Sequence, residues 1–328
     1  MSYLNLLNEK FTVRRKPEEK KAFRDFILAE AEKKGISSRV ETTSDGKNDN
    51  IIVGNVEGAE VVFTAHYDTP AASVFPNIMI PRNQPLFWAY QFLPVIFMLS
   101  IGLSLSYLIG MVWLQDERAY MLTFLAIYYG LYFLMFRGPS NPKNYNDNTS
   151  GVATLLSIIE GLDEADFPKV AFIFFDNEEK GKKGSKAYFA DHKAMMEDKL
   201  LINFDCVGNG STVVFIAKEK AEAREEYGTL KACLEPSGDY TTEFYPMRGS
   251  ESNSDYKNFP LGIGCMACKR TKSGLLYTPY IHTKMDTVAK DENIEYITIH
   301  IEINKDINKL INMKRDRTFW EVRSLFLI

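Results

Sequence analysis

Cysteine is scarce, with four residues in 328 (Cys206, Cys233, Cys265 and Cys268), which excludes a disulfide-stapled scaffold and suits a reducing compartment. Positive charge in excess is missing too. The net charge is −4 and no basic stripe stands out, so nucleic acid is not an expected partner. No secretory signal is expected at the start: "MSYLNLLNEKFTVRRKPEEKK" is charged within its first dozen residues and lacks a sufficient apolar run. No elbow-type serine with a suitable base is present, so Ser150 beside Gly151 reads as a bend former. The most informative absence is local: residues 83–115 carry no charge at all.

That stretch contains "LFWAYQFLPVIFMLSIGLSLSYLIGMVWL", longer than the roughly 20 residues that cross a bilayer. After "QDER" comes "AYMLTFLAIYYGLYFLMF", just long enough to span. Trp88, Tyr90, Trp113 and Tyr120 sit near the segment ends, where interfacial aromatics belong, and Pro94 lies where a kink is tolerable. The reading is a transmembrane helical hairpin over 83–137, with helices at about 87–114 and 119–136. A buried hairpin or a surface pairing copies of the chain is the plainer alternative. Arg82, Arg137 and Lys143 flank the insert, so the positive-inside rule expects the main body on the cytoplasmic side of an integral membrane protein.

The remainder, 1–82 and 138–328, reads as one discontinuous domain. Residues 17–35 open with Pro and acids, put Phe23, Phe26, Ile27 and Ala31 on one face, and stop at Gly: a helix. "NIIVGN" and "AEVVFTAHYDT" are expected strands around a turn at Glu57–Gly58. "KVAFIFFD", "KLLINFDCVG", "TVVFIA" and "LGIGCMAC" are apolar enough for buried strands. Helices are expected over "DNTSGVATLLSIIEGL", near 221–233, and in "NIEYITIHIEINKDINKLINMK", where Tyr296, Ile299, Ile303 and Ile307 keep helical spacing; "SDYKNFP" reads as a short helical turn. The alternation gives an α/β class, with a mixed, largely parallel central sheet in a three-layer αβα domain. Cys265 and Cys268 fall in a strand and point to opposite faces, which suits buried structural thiols better than a metal or redox pair. His192 and His300 read as surface or packing residues.

In such sheets ligands collect at the carboxyl ends of strands. One strand ends in His66 and Asp68, another in Glu178 and Glu179, another in Asp205. Asp147 precedes a helix, and "YIHTKMDT" offers His282 and Asp286. Adjacent glutamates alone suit a solvated turn, and a lone Asp before a helix suits a cap. The assortment of imidazoles and carboxylates, without cysteine, suits zinc or another borderline divalent ion in a site that is not purely structural.

The motifs "HYDT", "NDNTSGVA", "FFDNEEKGKKGS", "NFDCVG", "SDYKNF" and "HTKMDT", in this order from about residue 51 to 287, resemble metallopeptidase family 28, the co-catalytic di-zinc aminopeptidases, whose relatives include glutaminyl cyclases and the transferrin-receptor ectodomain. The resemblance implies two Zn2+ ions: His66 and Asp205 on one, Glu179 and His282 on the other, Asp147 bridging. It implies Glu178 as general base and Asp68 as the partner that orients His66. A shared hydroxide between ions about 3.5–4 Å apart would attack the peptide carbonyl. Two departures stand out. Tyr256 follows Asp255 where the family usually has His; the resemblance implies a place near the substrate for Asp255 and Tyr256. The hydrophobic hairpin occupies a spacing that is usually short.

The expected activity is removal of N-terminal residues from peptides, including membrane-associated ones, because the insert leaves the chain after His66 and returns before Asp147. A glutaminyl cyclase-like acyltransferase using one zinc is the enzymatic alternative. A non-catalytic membrane scaffold on a peptidase fold is the other, and the complete set of ligands plus Glu178 speaks against it.

Overall fold

The computed structural model describes residues 1–73, 77–234 and 236–302. The first elements are α1 (Tyr3–Lys10), α2 (Pro17–Lys33), β1 (Ser38–Thr42), β2 (Asp49–Val53), β3 (Val61–His66) and β4 (Ile78–Met79). The inserted helices α3 (Gln84–Ser106) and α4 (Glu117–Arg137) follow, then α5 (Gly151–Gly161), β5 (Val170–Phe175), α6 (Lys183–Asp191), α7 (Lys193–Met196), β6 (Leu200–Phe204) and β7 (Thr212–Ala217). The last are α8 (Glu219–Glu222), α9 (Glu225–Cys233), β8 (Thr241–Pro246), β9 (Gly262–Arg270), β10 (Leu276–Pro279) and α10 (Asp291–Glu302).

The sheet runs β1-β2-β5-β3-β6-β9-β10-β4, and β7 pairs with both β8 and β9. Its centre, β5-β3-β6-β9, is parallel, while β2 on β5 and β10 on β9 run antiparallel. The sheet is mixed, with parallel pairing confined to the middle and to the β7–β8 pair. The strands on either side of the Glu57–Gly58 turn do not pair with one another, because β5 lies between β2 and β3. The cause is burial: all six residues of β3 and all six of β5 are buried, so each needs a neighbour on both edges and a layer on both faces.

Side chains alternate between two cores. Val170, Phe172 and Phe174 of β5 enter one core with α1, α2, α5, α9 and α10. Ala171, Ile173 and Phe175 enter the other with Tyr188 of α6, Met196 of α7 and Tyr256 and Phe259 of the 254–259 turn. That is a three-layer αβα arrangement. Cys265 belongs to the first core and Cys268 to the second, on opposite faces of β9.

Some elements were not evident from pattern. β1 and β8 are mostly polar and partly exposed strands at the sheet margins, so they lack an apolar run. The helix expected near 221–233 is two pieces, α8 and α9. The C-terminal helix is described to Glu302; Ile303 and Ile307 lie outside the described residues. His192 is a packing residue, paired with Glu41 and set against Tyr188.

The insert is a helical hairpin. A π-helical stretch, Tyr107–Trp113, continues α3, and Asp116 caps α4 by accepting the Arg118 N–H at 2.8 Å. Met98, Gly102, Ser106 and Gly110 recur every fourth residue and are buried. A Cβ on Gly110 would lie 2.3 Å from the Tyr120 backbone, and one on Gly102 would meet Phe124 at 3.3 Å. Small residues let the two helices close on each other. Most other side chains of the hairpin are exposed, including Trp88, Phe92, Ile96, Leu108 and Leu122. Among the described residues, one helix, Gln84–Trp113, is long and apolar enough to cross a membrane. At its root the outgoing and returning chains meet in a bridge between Ala71 and Ser140.

Candidate metal centre

β3, β5 and β6 are parallel, so their carboxyl ends share one edge of the sheet. His66 is the last residue of β3, Asp205 follows β6, and Glu178 and Glu179 sit on a single 3-10 turn two residues past β5. Asn177 and Gly181 flank that turn with φ of 53° and 93°, which reverses the chain tightly enough to put both glutamates over the sheet end. Asp147 comes from the irregular segment ahead of α5, and His282 from the loop after β10.

These six side chains line one cleft of about 470 Å³. Asp147 lies at its centre. Its Oδ1 is 3.3 Å from His66 Nε2, and its Oδ2 is 2.9 Å from His282 Nε2. Asp205 Oδ1 is 3.7 Å from His66 Nε2, and Glu179 Oε2 is 3.4 Å from His282 Nε2. Two clusters result, His66–Asp147–Asp205 and Asp147–Glu179–His282, each with ligand atoms within 4.8 Å of one another. Asp147 belongs to both. A third overlapping cluster joins His66, Glu178 and Glu179.

A second ring of groups holds these in place. Asp286 accepts the Asp147 N–H at 2.9 Å and the Asn146 N–H at 3.3 Å. Asn148 donates to Phe204 O at 2.9 Å and accepts from Cys206 N at 3.2 Å, which ties the Asp147 segment to the end of β6. Asp68 differs from expectation in detail. His66 Nδ1 is nearer the Asp68 backbone carbonyl, at 3.1 Å, than its carboxylate, at 3.6 Å. The carboxylate instead accepts the N–H groups of Glu178 and Glu179, at 2.9 and 3.3 Å, and so fixes the tandem-glutamate turn. Arg14, fully buried, donates to Tyr67 O and Thr149 Oγ1 behind Asp68 and Asp147. None of these supports follows from strand-end position, except that Asp286 already stood beside His282 in sequence.

Asp255 and Tyr256, expected near the substrate, sit behind the cleft surface. Both side chains are fully buried and lie outside the cleft lining, because the 3-10 turn Asp255–Asn258 points them inward. Asp255 accepts from Ser185 Oγ, and the Tyr256 ring packs on Gly264. Ser252, Asn253 and Ser254, just before them, reach the cleft instead.

The electrostatics ask for cations. Burial pushes the Glu178 and Glu179 carboxyls well above the usual range, with neighbouring carboxylates adding to the effect. Burial works the same way on Asp286, raised to about 7 with the Asp147 charge contributing. Burial disfavours the charged form of His66, yet Asp147, Asp205 and Asp68 outweigh it and hold the imidazole well above its ordinary value. His282, whose side chain is 41% exposed, is raised to about 10 as well: desolvation opposes the charge, and Glu179 and Asp147 outweigh it. Glu179 Oε1 is buried with no hydrogen-bond partner among the described residues. Such a crowd of buried carboxylates is costly unless positive charge joins it. The nitrogen and oxygen donors, two clusters sharing a carboxylate, and the orphaned Glu179 oxygen fit a pair of divalent ions of the zinc type.

Among known proteins, the family model described as peptidase family M28 matches residues 138–301, half of the chain. No curated protein matches in sequence. A zinc-dependent exopeptidase from Parabacteroides distasonis is 16% identical with a TM-score of 0.54, covering 92% of this chain and 94% of that one. Porphyromonas gingivalis glutaminyl cyclase is 15% identical with a TM-score of 0.55, covering 94% and 97%. A leucine aminopeptidase precursor from Bacteroides thetaiotaomicron is 15% identical with a TM-score of 0.51, covering 92% and 93%. At these identities the likeness is one of fold.

Proposed function

The chain belongs to peptidase family M28, and from that premise we propose that it is a membrane-attached di-zinc aminopeptidase that hydrolyses N-terminal residues from peptides. The observation that carries this reading is the sharing of Asp147 between two ligand clusters, with Glu178 beside them in a third that overlaps both at His66 and Glu179; the reading leaves Glu178 unligated, as the proton carrier. His66, Asp147 and Asp205 would hold one ion, and Asp147, Glu179 and His282 the other. A bound pair supplies Lewis acidity toward the carbonyl and lowers the pKa of a water held there.

The chain's own groups do the rest. Glu178 takes a proton from the attacking water as its oxygen bonds to the carbonyl carbon. It returns that proton to the amine as the C–N bond breaks, so one water is consumed and both termini are completed. Asp68, through the two amide bonds it accepts, keeps Glu178 over the reacting centre. Asp286 does the same for the Asp147 backbone.

Metal content and product identity for detergent-purified protein test the proposal. About two zinc ions per chain, and release of free amino acids from a small peptide panel, are expected. Glu178→Gln is expected to cost about 10²–10⁴-fold in kcat with zinc content unchanged. Retention of full activity in that variant would remove Glu178 from the mechanism. The glutaminyl cyclase reading draws on the fold likeness to the Porphyromonas gingivalis enzyme. An N-terminal glutamine peptide separates the two: cyclisation with ammonia release and a single zinc would favour the cyclase, whereas release of free glutamine favours the peptidase.

A further inference from the structure

One wall of the cleft comes from outside the stretch that matches the family model. Phe87, Tyr90, Gln91, Pro94 and Val95 of α3 line it, whereas the match covers residues 138–301. These positions recur at three- and four-residue intervals, so they form one face over the first turns of the helix. The other face of the same turns carries Trp88, Phe92, Leu93, Ile96 and Phe97, each more than half exposed. A single helical segment therefore borders the metal cleft on one side and presents a bare apolar surface on the other.

This wall contains no charge, since none occurs anywhere in residues 83–115. Its one amide, Gln91, donates to Asn77 Oδ1 at 3.4 Å. The charged groups of the cleft stand elsewhere, on the ligand floor and at Lys182, whose Nζ is paired with Asn253. An ionised substrate side chain laid on α3 would lose water and gain no partner. A leucine or phenylalanine side chain would remove apolar surface from water on both partners.

Building on the peptidase reading above, we propose that the cleft face of α3 is the side-chain subsite of the enzyme. It selects peptides that carry a large apolar residue at the N-terminus, of the kind a bilayer-bound peptide presents. The insert then has two roles on two faces: one toward lipid, the other toward substrate.

The test uses the full chain, zinc-loaded and in detergent or lipid nanodiscs, with tripeptides X-Gly-Gly in which X is Leu, Phe, Ala, Lys or Glu. kcat/KM for Leu and Phe is expected to exceed that for Lys and Glu by about tenfold or more. Val95→Trp fills the wall and Tyr90→Ala removes apolar contact from it. Each is expected to lower the Phe-to-Ala ratio of kcat/KM, the tryptophan variant by about tenfold, with zinc content as in the wild type. A wild-type preference for Lys or Glu overturns the proposal, and so does an unchanged ratio in zinc-replete variants. Met79, Met266 and Ile281 also line the cleft, so the variants assign the preference to α3, while the wild-type panel can overturn the proposal even if a variant fails to fold. Absence of turnover on every peptide overturns the aminopeptidase reading itself, which is a distinct result.

Discussion

Asp147 presents one oxygen to His66 and the other to His282, 3.3 and 2.9 Å away. Both oxygens of this carboxylate face imidazoles, and Asp286 holds the backbone N–H of the same residue. At this scale the sequence was legible where chemistry sits at a strand end: His66, Glu178, Glu179 and Asp205 all converge, joined by His282 from a loop. It was not legible where a residue acts through its backbone contacts. Asp68 reads as a partner for His66, yet its carboxylate spends its bonds on the amides of Glu178 and Glu179. Asp68→Asn would replace one acceptor oxygen by a donor facing an N–H. The expected loss is about 10–100-fold in zinc affinity or kcat, read by chelator competition and steady-state kinetics. Wild-type values for both would mean that the turn holds its shape without that carboxylate.

The hairpin elements are legible in composition, since two long uncharged runs are joined by the short polar break "QDER". Which faces they bury is a tertiary matter. The stripe Met98–Gly102–Ser106–Gly110 turns to α4, while Phe87, Tyr90, Gln91 and Pro94 turn to the cleft. A contrast between two glycines tests the packing. Gly110→Ala forces a methyl to within 2.3 Å of the Tyr120 backbone, whereas at Gly102 the nearest neighbour is the Phe124 ring at 3.3 Å. The first substitution is expected to destabilise by about 1–3 kcal/mol, as overpacking does, and the second by much less. Thermal melts in detergent read both, and equal melts would mean the helices are not held this closely. The same distinction explains β1 and β8: polar margin strands take their pairing from neighbours rather than from an apolar pattern of their own.

For the whole molecule, the hairpin root lies beside the candidate metal centre, because the Ala71–Ser140 bridge joins the chain just after Asp68 to the chain just before Asp147. If the exposed apolar band is embedded, the cleft stands at the bilayer surface. Arg82 and Lys143 at the root then favour a cytoplasmic body. The full chain is expected to stay with membranes through an alkaline carbonate wash. Protease applied from the cytoplasmic face should digest the body, and from the opposite face it should reach only the tip around Asp116. Release by carbonate would overturn the membrane reading, and digestion of the body from the far side would invert the topology.

The sequence by itself determined the α/β alternation of the buried elements, the apolar insert and the inventory of candidate metal-ligating side chains, because periodicity, charge absence and residue chemistry are local properties. Only the tertiary structure decided that β5 separates β2 from β3, that Asp255 and Tyr256 face inward, and that α3 walls the cleft. Those outcomes depend on which surfaces remain to be buried once every other element is in place, and no stretch of chain carries that information alone.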